Sequence, residues 1–189
     1  MEVLIIMIDT DSFSHGQIKS KIWLCENLEP NVLQDATVMI LGCWIDITGF
    51  IMMSRQPKLY RQIKGIDIDS EAIAAADKIN SYSVIECIMR HEVGDANTVS
   101  SQGFDVVINC SCEHMDSSIW FDNITAGTLV CIQSSNIVDS GYPWYVNNPS
   151  PTYESFIEKY PLTHLKFAGT LPINYDDWGY ERYMIIGIK

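Results

Sequence analysis

The sequence is short of positive charge: twelve lysines and arginines stand against twenty-four acidic residues, for a net charge of −12. A surface of that sign repels phosphate backbones and anionic headgroups, which argues against nucleic acid or a membrane as partner. Lys19, Lys21, Lys58 and Arg61 could together hold one phosphate group, but scattered solvated cations are the simpler reading. There is no CxxC pair and no regular disulfide spacing. The six cysteines, Cys25, Cys43, Cys87, Cys110, Cys112 and Cys131, sit mostly within apolar runs, as buried reduced thiols of a cytoplasmic protein do. No apolar run is long enough to span a bilayer. Val3–Ile8 is short and flanked by Glu2, Asp9 and Asp11, unlike a secretory leader, and Thr37–Met53 is interrupted by Asp46 and Gly49. Repeats, linkers and low-complexity segments are missing too. With 47% hydrophobic and 19% charged residues over 189 positions, one folded domain (1–189) with an N-terminal helical segment (11–30) is expected.

What is present is an alternation of helix and strand patterns. Ser12 or Ser14 can cap an amphipathic helix with Ile18, Ile22, Cys25 and Leu28 on one face. Ala36–Leu41 is a continuous apolar run ending at Gly42, the signature of a buried strand. A helix is predicted over Gly49–Leu59, ended by Pro57, then a strand over Gln62–Ile68, then a helix capped by Ser70. Tyr82–Met89 fits helix or strand. Further strands are predicted at Met89–Val93, Phe104–Cys110 and Thr128–Gln133, with helices at Ser117–Ile124 and Thr152–Tyr160. His164–Thr170 and Arg182–Ile188 close the chain as strands. Such alternation implies a mostly parallel sheet covered on both faces, with ligands at the carboxyl ends of its strands.

Two positions at those ends suit a nucleoside. Gly42 lets the backbone turn sharply and leaves room for a ligand against the main chain. Asp67 follows about 25 residues later, a spacing at which an acid reaches ribose hydroxyls. A carboxylate accepts from both hydroxyls and repels a 2′-phosphate, which favours an adenosine group over a phosphorylated dinucleotide. Asp69, directly before Ser70, suits a helix N-terminus instead. No GxGxxG follows the first strand, which counts against a nicotinamide cofactor.

The order of strand, Gly42-Cys43, then Gly65-Ile66-Asp67-Ile68-Asp69 with a helix, then Val93-Gly94-Asp95-Ala96, then Phe104-Asp105-Val106-Val107 resembles the class I methyltransferases over most of the chain. The two closing strands match that family's terminal antiparallel hairpin. The resemblance implies an α/β, three-layer Rossmann-like methyltransferase fold with a mostly parallel sheet, and S-adenosylmethionine as cofactor, released as S-adenosylhomocysteine. It implies that Gly42 approaches the methionine end, Asp67 the ribose and Asp95 the adenine amino group, with Cys43, Trp44, Ile68, Ala96 and Asn109 as further cofactor contacts. One departure stands out: the family's turn usually carries more glycines, where this chain reads Gly42-Cys43-Trp44-Ile45-Asp46. Either Trp44 packs on the cofactor and Asp46 meets its ammonium group, or cofactor binding is weakened or lost.

The run Asn109-Cys110-Ser111-Cys112-Glu113-His114-Met115 ends the fourth strand, where the same family often builds its reaction centre. Glu113 or His114 is the candidate general base. Cys110, Cys112 and His114 could resemble metal ligands, but no second pair completes a zinc site, so core thiols and no metal are expected. Asn147–Tyr153 is similar to the asparagine–proline motif of amino methyltransferases but follows strand five, and is read as a turn. Ser14, His15, Gln17, Ser20 and Lys21 form either a cover for the cofactor's amino acid end or an ordinary solvated face. Trp120, Tyr142, Trp144, Tyr145, Trp178 and Tyr180 suit a substrate pocket, packing or a homo-oligomer interface equally. The expected activity is methyl transfer to a small molecule or a protein side chain, with the acidic charge favouring a neutral or cationic acceptor. Transfer of the aminocarboxypropyl group, or a catalytically inactive binding protein of the same fold, are the alternatives.

Overall fold

The computed structural model describes residues 9–138 and 145–189. The apolar start at 3–8, and Tyr142 and Trp144 of the aromatic set, lie outside the described residues. The elements run α1 (His15–Leu28), β1 (Ala36–Leu41), α2 (Ile47–Arg55), β2 (Tyr60–Asp67), α3 (Ser70–Ile79), α4 (Ser81–Ile85), β3 (Met89–Val93), β4 (Val106–Asn109), α5 (Ile119–Asp122), β5 (Leu129–Ser135), α6 (Tyr153–Lys159), β6 (His164–Asn174) and β7 (Gly179–Ile188). Short 3-10 turns precede and follow α1 and follow β4. The seven strands form one sheet in the order β3-β2-β1-β4-β5-β7-β6. The first five in that order are parallel, and β7 is antiparallel to both β5 and β6.

β1 lies inside the sheet, between β2 and β4, and each of its six residues, Ala-Thr-Val-Met-Ile-Leu, is buried. Its side chains alternate between two cores, as a pleated strand requires. Val38 and Ile40 enter a core with Leu24 and Leu28 of α1, Met52 of α2 and Ile73 of α3. Met39 and Leu41 enter a second core with Trp120 and Phe121 of α5 and Phe156 of α6. The same division continues across β4, where Val106 and Ile108 face one core and Val107 the other. The result is three layers, helix, sheet and helix.

Several predicted boundaries move for identifiable reasons. α2 starts at Ile47, not Gly49, because Asp46 is its N-cap, accepting from Gly49 N at 2.8 Å. α3 is capped by Asp69 rather than Ser70: its carboxylate accepts from Glu71 N at 2.8 Å and Ala72 N at 3.3 Å. Tyr82–Met89 resolves into the short α4, ending before β3. β4 spans only Val106–Asn109 because Asp105 turns its carboxylate back to Thr37, accepting from its N at 2.8 Å and Oγ1 at 2.7 Å. The hairpin strands are longer than predicted, since β6 continues to Asn174 and β7 starts at Gly179. No helix among the described residues is long and apolar enough to cross a membrane.

Candidate functional site

The turn after β1 has an unusual backbone. Gly42, Trp44 and Asp46 have φ of 61°, 52° and 49°, so every second residue is left-handed. At Gly42 no other residue fits: a Cβ would lie 2.9 Å from Ser111 Cβ and 2.9 Å from Met115 Cε. Ser111 Oγ donates to Gly42 O at 2.8 Å and fixes the approach of β4 to the turn. Trp44 and Asp46 hold a conformation that glycine adopts without cost and other residues at roughly 1–2 kcal/mol. The turn thus holds, at Trp44 and Asp46, backbone of the kind that glycine favours. Trp44 N is retained by Asp67 Oδ2 at 2.7 Å.

Asp46 is retained by a second device that sequence reading missed. Its carboxylate is fully buried, with Oδ1 on Gly49 N and Oδ2 3.0 Å from His91 Nε2. His91 Nδ1 lies 2.7 Å from Asp77 Oδ1 of α3, and its side chain is wholly enclosed. Burial pulls the His91 pKa down, but hydrogen bonds and charge from Asp46 and Asp77 outweigh it, and the net shift is upward. With both oxygens engaged away from the surface, Asp46 does not reach a cofactor ammonium group, and that expectation is corrected. Gly49 and Gly65 make the space: a Cβ at Gly65 would lie 2.7 Å from His91 Cδ2, and one at Gly49 2.6 Å from Asp46 Oδ2.

Beside the turn opens a cavity of about 280 Å³. Gly42, Cys43, Trp44 and Asp67 line one side, the start of α1 with Ser14, Gln17 and Lys21 another, and Tyr175, Trp178, Tyr180 and Arg182 of the hairpin region a third. Each Asp67 oxygen accepts one backbone N–H, from Trp44 at 2.7 Å and Asp69 at 3.0 Å. A carboxylate has about four acceptor positions, so the pair of oxygens retains capacity for two hydroxyl donors. Ile68, Asp95, Ala96 and Asn109 do not line the cavity. Ile68 is 74% exposed at the end of β2, and Asp95 is exposed nearby, because Gly94 N donates to Asp67 O at 2.8 Å. Ala96 belongs to the second core. Asn109 is buried, with its amide oxygen accepting from Ser111 N at 2.9 Å.

Below β4 the cavity contains Cys110, Ser111, Glu113 and His114. Glu113 is buried and its oxygens are occupied, Oε1 by Arg182 Nη1 at 3.1 Å and Oε2 by Ser134 Oγ at 2.9 Å. Burial raises its pKa, while Arg182, His114, Ser134 and Ser135 lower it, and the net shift is downward, so it stays ionised. His114 is more open, with 42% of its side chain exposed. Its Nδ1 lies 2.8 Å from Tyr145 O. A carbonyl only accepts, so Nδ1 donates in this contact, and Nε2 lies 3.7 Å from Glu113 Oε1. Burial pushes the Cys112 thiol up to about 12, and Cys110 also upward, so neither is a ready nucleophile or ligand. Asn147–Tyr153 is more than a free turn: the backbone N–H groups of Asn147 and Asn148 both donate to Glu113 O at 3.0 Å. Lys21 overturns the reading of its group as solvated surface, since it is only 7% exposed and lines the cavity.

Neither models of known sequence families nor curated protein sequences give a match to this chain. Solved structures do. The N-methyltransferase NodS from Bradyrhizobium japonicum WM9, in complex with S-adenosyl-L-homocysteine, superposes with a TM-score of 0.70 at 10% identity, covering 94% of this chain and 90% of that one. Magnesium protoporphyrin IX methyltransferase from Synechocystis PCC 6803, with bound S-adenosylmethionine, gives 0.59 at 11%, covering 90% and 77%. The chain spans about half the length of a putative sarcosine dimethylglycine methyltransferase from Galdieria sulphuraria, covering 48% of it and 63% of this chain, with a TM-score of 0.55 at 11% identity. These likenesses, with the five parallel strands and the antiparallel β7, establish a Rossmann-like methyltransferase fold.

Proposed function

We propose that the chain is an S-adenosylmethionine-dependent methyltransferase. The observation that carries this reading is Asp67, at the carboxyl end of β2 with acceptor capacity unused, placed beside the Gly42–Trp44 backbone in one cavity. In this reading Asp67 binds the ribose hydroxyls, and the Gly42, Cys43 and Trp44 backbone lies along the methionine end. Ile68, Asp95 and Ala96 border the adenine, and Asn109 acts through Ser111, which it holds against Gly42. The cofactor supplies a methyl group activated by a positive sulfonium. The protein's task is to align the attacking atom and take its proton.

His114 is the base in this assignment, because it lines the cavity with Nδ1 engaged by Tyr145 O, which leaves Nε2 as the nitrogen that exchanges a proton with the acceptor. Glu113 positions it, being committed to Arg182 and Ser134. The left-handed turn supports an intact cofactor site over a lost one, since Trp44 and Asp46 hold glycine-type backbone despite their side chains. The test is calorimetric titration with S-adenosylmethionine and S-adenosylhomocysteine, repeated with Asp67→Ala. Binding by the wild type that falls about 100-fold in the variant is expected from two charge-assisted hydrogen bonds. No binding by the wild type refutes the proposal. In turnover, S-adenosylhomocysteine marks methyl transfer and 5′-methylthioadenosine marks aminocarboxypropyl transfer.

A further inference from the structure

We infer that the acceptor carries a carboxylate, held by Lys21 with Arg182 at the floor of the cavity, an inference that rests on the methyl-transfer reading above. Lys21 is 7% exposed, lines the cavity and makes no hydrogen bond or ion pair among the described residues. An ammonium so placed is stable only with a counter-charge, and among the described residues none pairs with it. Glu113 is the one carboxylate that favours its charge, and both Glu113 oxygens are engaged elsewhere. Arg182, 5% exposed, lines the same floor, and its Nε has no partner among the described residues. Two cations therefore share one committed carboxylate, and the floor is positive within a chain of net charge −12. Burial pulls the Lys21 pKa down and the Arg182 charge adds to this, against an upward pull from Cys110, Glu113 and Cys131, so an anion bound here would favour its charged form.

Position assigns this anion to the acceptor rather than to the nucleoside. Gly42 and Asp67 end β1 and β2, whereas the groups acting on Lys21 belong to β5, β7 and the end of β4. In the sheet, β1, β4 and β5 separate β2 from β7. At about 4.8 Å per strand spacing, the Asp67 strand and the Arg182 strand lie roughly 19 Å apart. A nucleoside fixed at Asp67 with its methionine end at Gly42 leaves the β4–β5–β7 end for the second substrate. There the rings of Tyr175 and Trp178 stack at 4.6 Å and those of Trp178 and Tyr180 at 5.7 Å, giving an aromatic wall beside the two cations. An organic acid with an apolar body and a carboxylate matches both. The expectation of a neutral or cationic acceptor, drawn from net charge, is replaced by the local charge of the site.

The experiment is calorimetric titration of the whole protein with benzoate and with benzamide, of nearly the same shape but uncharged, each with and without saturating S-adenosylhomocysteine. Wild type, Lys21→Met and Lys21→Gln are compared, after thermal melts confirm that each variant folds. Benzoate is expected to bind at least roughly tenfold more tightly than benzamide, the worth of one charge-assisted hydrogen bond. That preference should vanish in both variants while S-adenosylhomocysteine affinity stays at the wild-type value. The inference is overturned if wild type shows no preference, including no binding of either probe, or if the preference survives in the variants. It is also overturned if the variants lose affinity for S-adenosylhomocysteine but not for 5′-methylthioadenosine, because Lys21 would then serve the cofactor's own carboxylate. Failure of S-adenosylhomocysteine to bind the wild type refutes the methyl-transfer reading separately, and the titrations without it still report on the anion site.

Discussion

Asp46 Oδ2 lies 3.0 Å from His91 Nε2, both side chains fully enclosed, and this pair ties the turn after β1 to β3. His91 has a raised pKa in the folded state, against its unfolded value near 6.5. A raised folded pKa adds stability that is complete below the unfolded value and is lost as pH rises through the folded one. Urea melts should therefore show stability falling as pH increases above about 6.5, with the slope flattened in His91→Gln. A wild type whose stability rises across that range contradicts the assignment.

Breaking the pair from the other side has a larger effect. Asp46→Ala removes the α2 cap and leaves a buried imidazolium with Asp77 alone. A loss of about 3–5 kcal/mol is expected from chemical denaturation. Asp46→Asn keeps the cap acceptor and should cost less.

The turn should discriminate between its left-handed positions. Gly42→Ala combines a φ of 61° with contacts of 2.9 Å to Ser111 and Met115, and should lower stability by more than about 2 kcal/mol and abolish nucleoside binding. Trp44→Gly, at a φ of 52°, relieves strain while adding chain entropy, and should leave stability within about 1 kcal/mol of wild type. Parallel melts of the two variants check the contrast.

Glu113 and Arg182 should behave as a unit. Glu113→Gln or Arg182→Met alone leaves one buried charge and is expected to cost about 3–5 kcal/mol, whereas the double variant should recover much of that loss. A double-mutant cycle showing simple additivity would falsify the pairing.

His114→Gln should reduce turnover by about 10²–10⁴-fold once an acceptor is in hand, with S-adenosylhomocysteine affinity unchanged. Loss of both together would place His114 in cofactor binding instead.

Much of this architecture was legible because burial writes itself into composition. β1 is a run apolar but for Thr37, with matching bounds, and Ser14 caps α1 as one of the two residues expected to. Asp67 could be placed because a strand end and a following helix fix its position. The Asp46–His91 pair was hidden, since a histidine in Met-Arg-His-Glu-Val reads as one polar residue of an alternating strand. Its trace was indirect, in Gly49 and Gly65, whose missing side chains leave room for it. Lys21 was misjudged for a related reason: lysine is almost always solvated, and only the approach of the hairpin to α1 encloses this one. The start of α2 was placed two residues late because Asp46, an ordinary capping residue, was read as a cofactor contact rather than as a cap.

The position of β7 affects how the molecule can be made. β6 pairs only with β7, and β7 lies between β5 and β6 although it follows both in sequence. During synthesis, a chain that has emerged as far as residue 178 has an open β5 edge and a β6 segment with no place to dock. Unpaired edges invite pairing with other chains. Ribosome stalling or proteolysis in Asn174–Gly179 should therefore yield aggregation-prone fragments rather than a smaller folded sheet, and the half-made protein is the form most in need of chaperones.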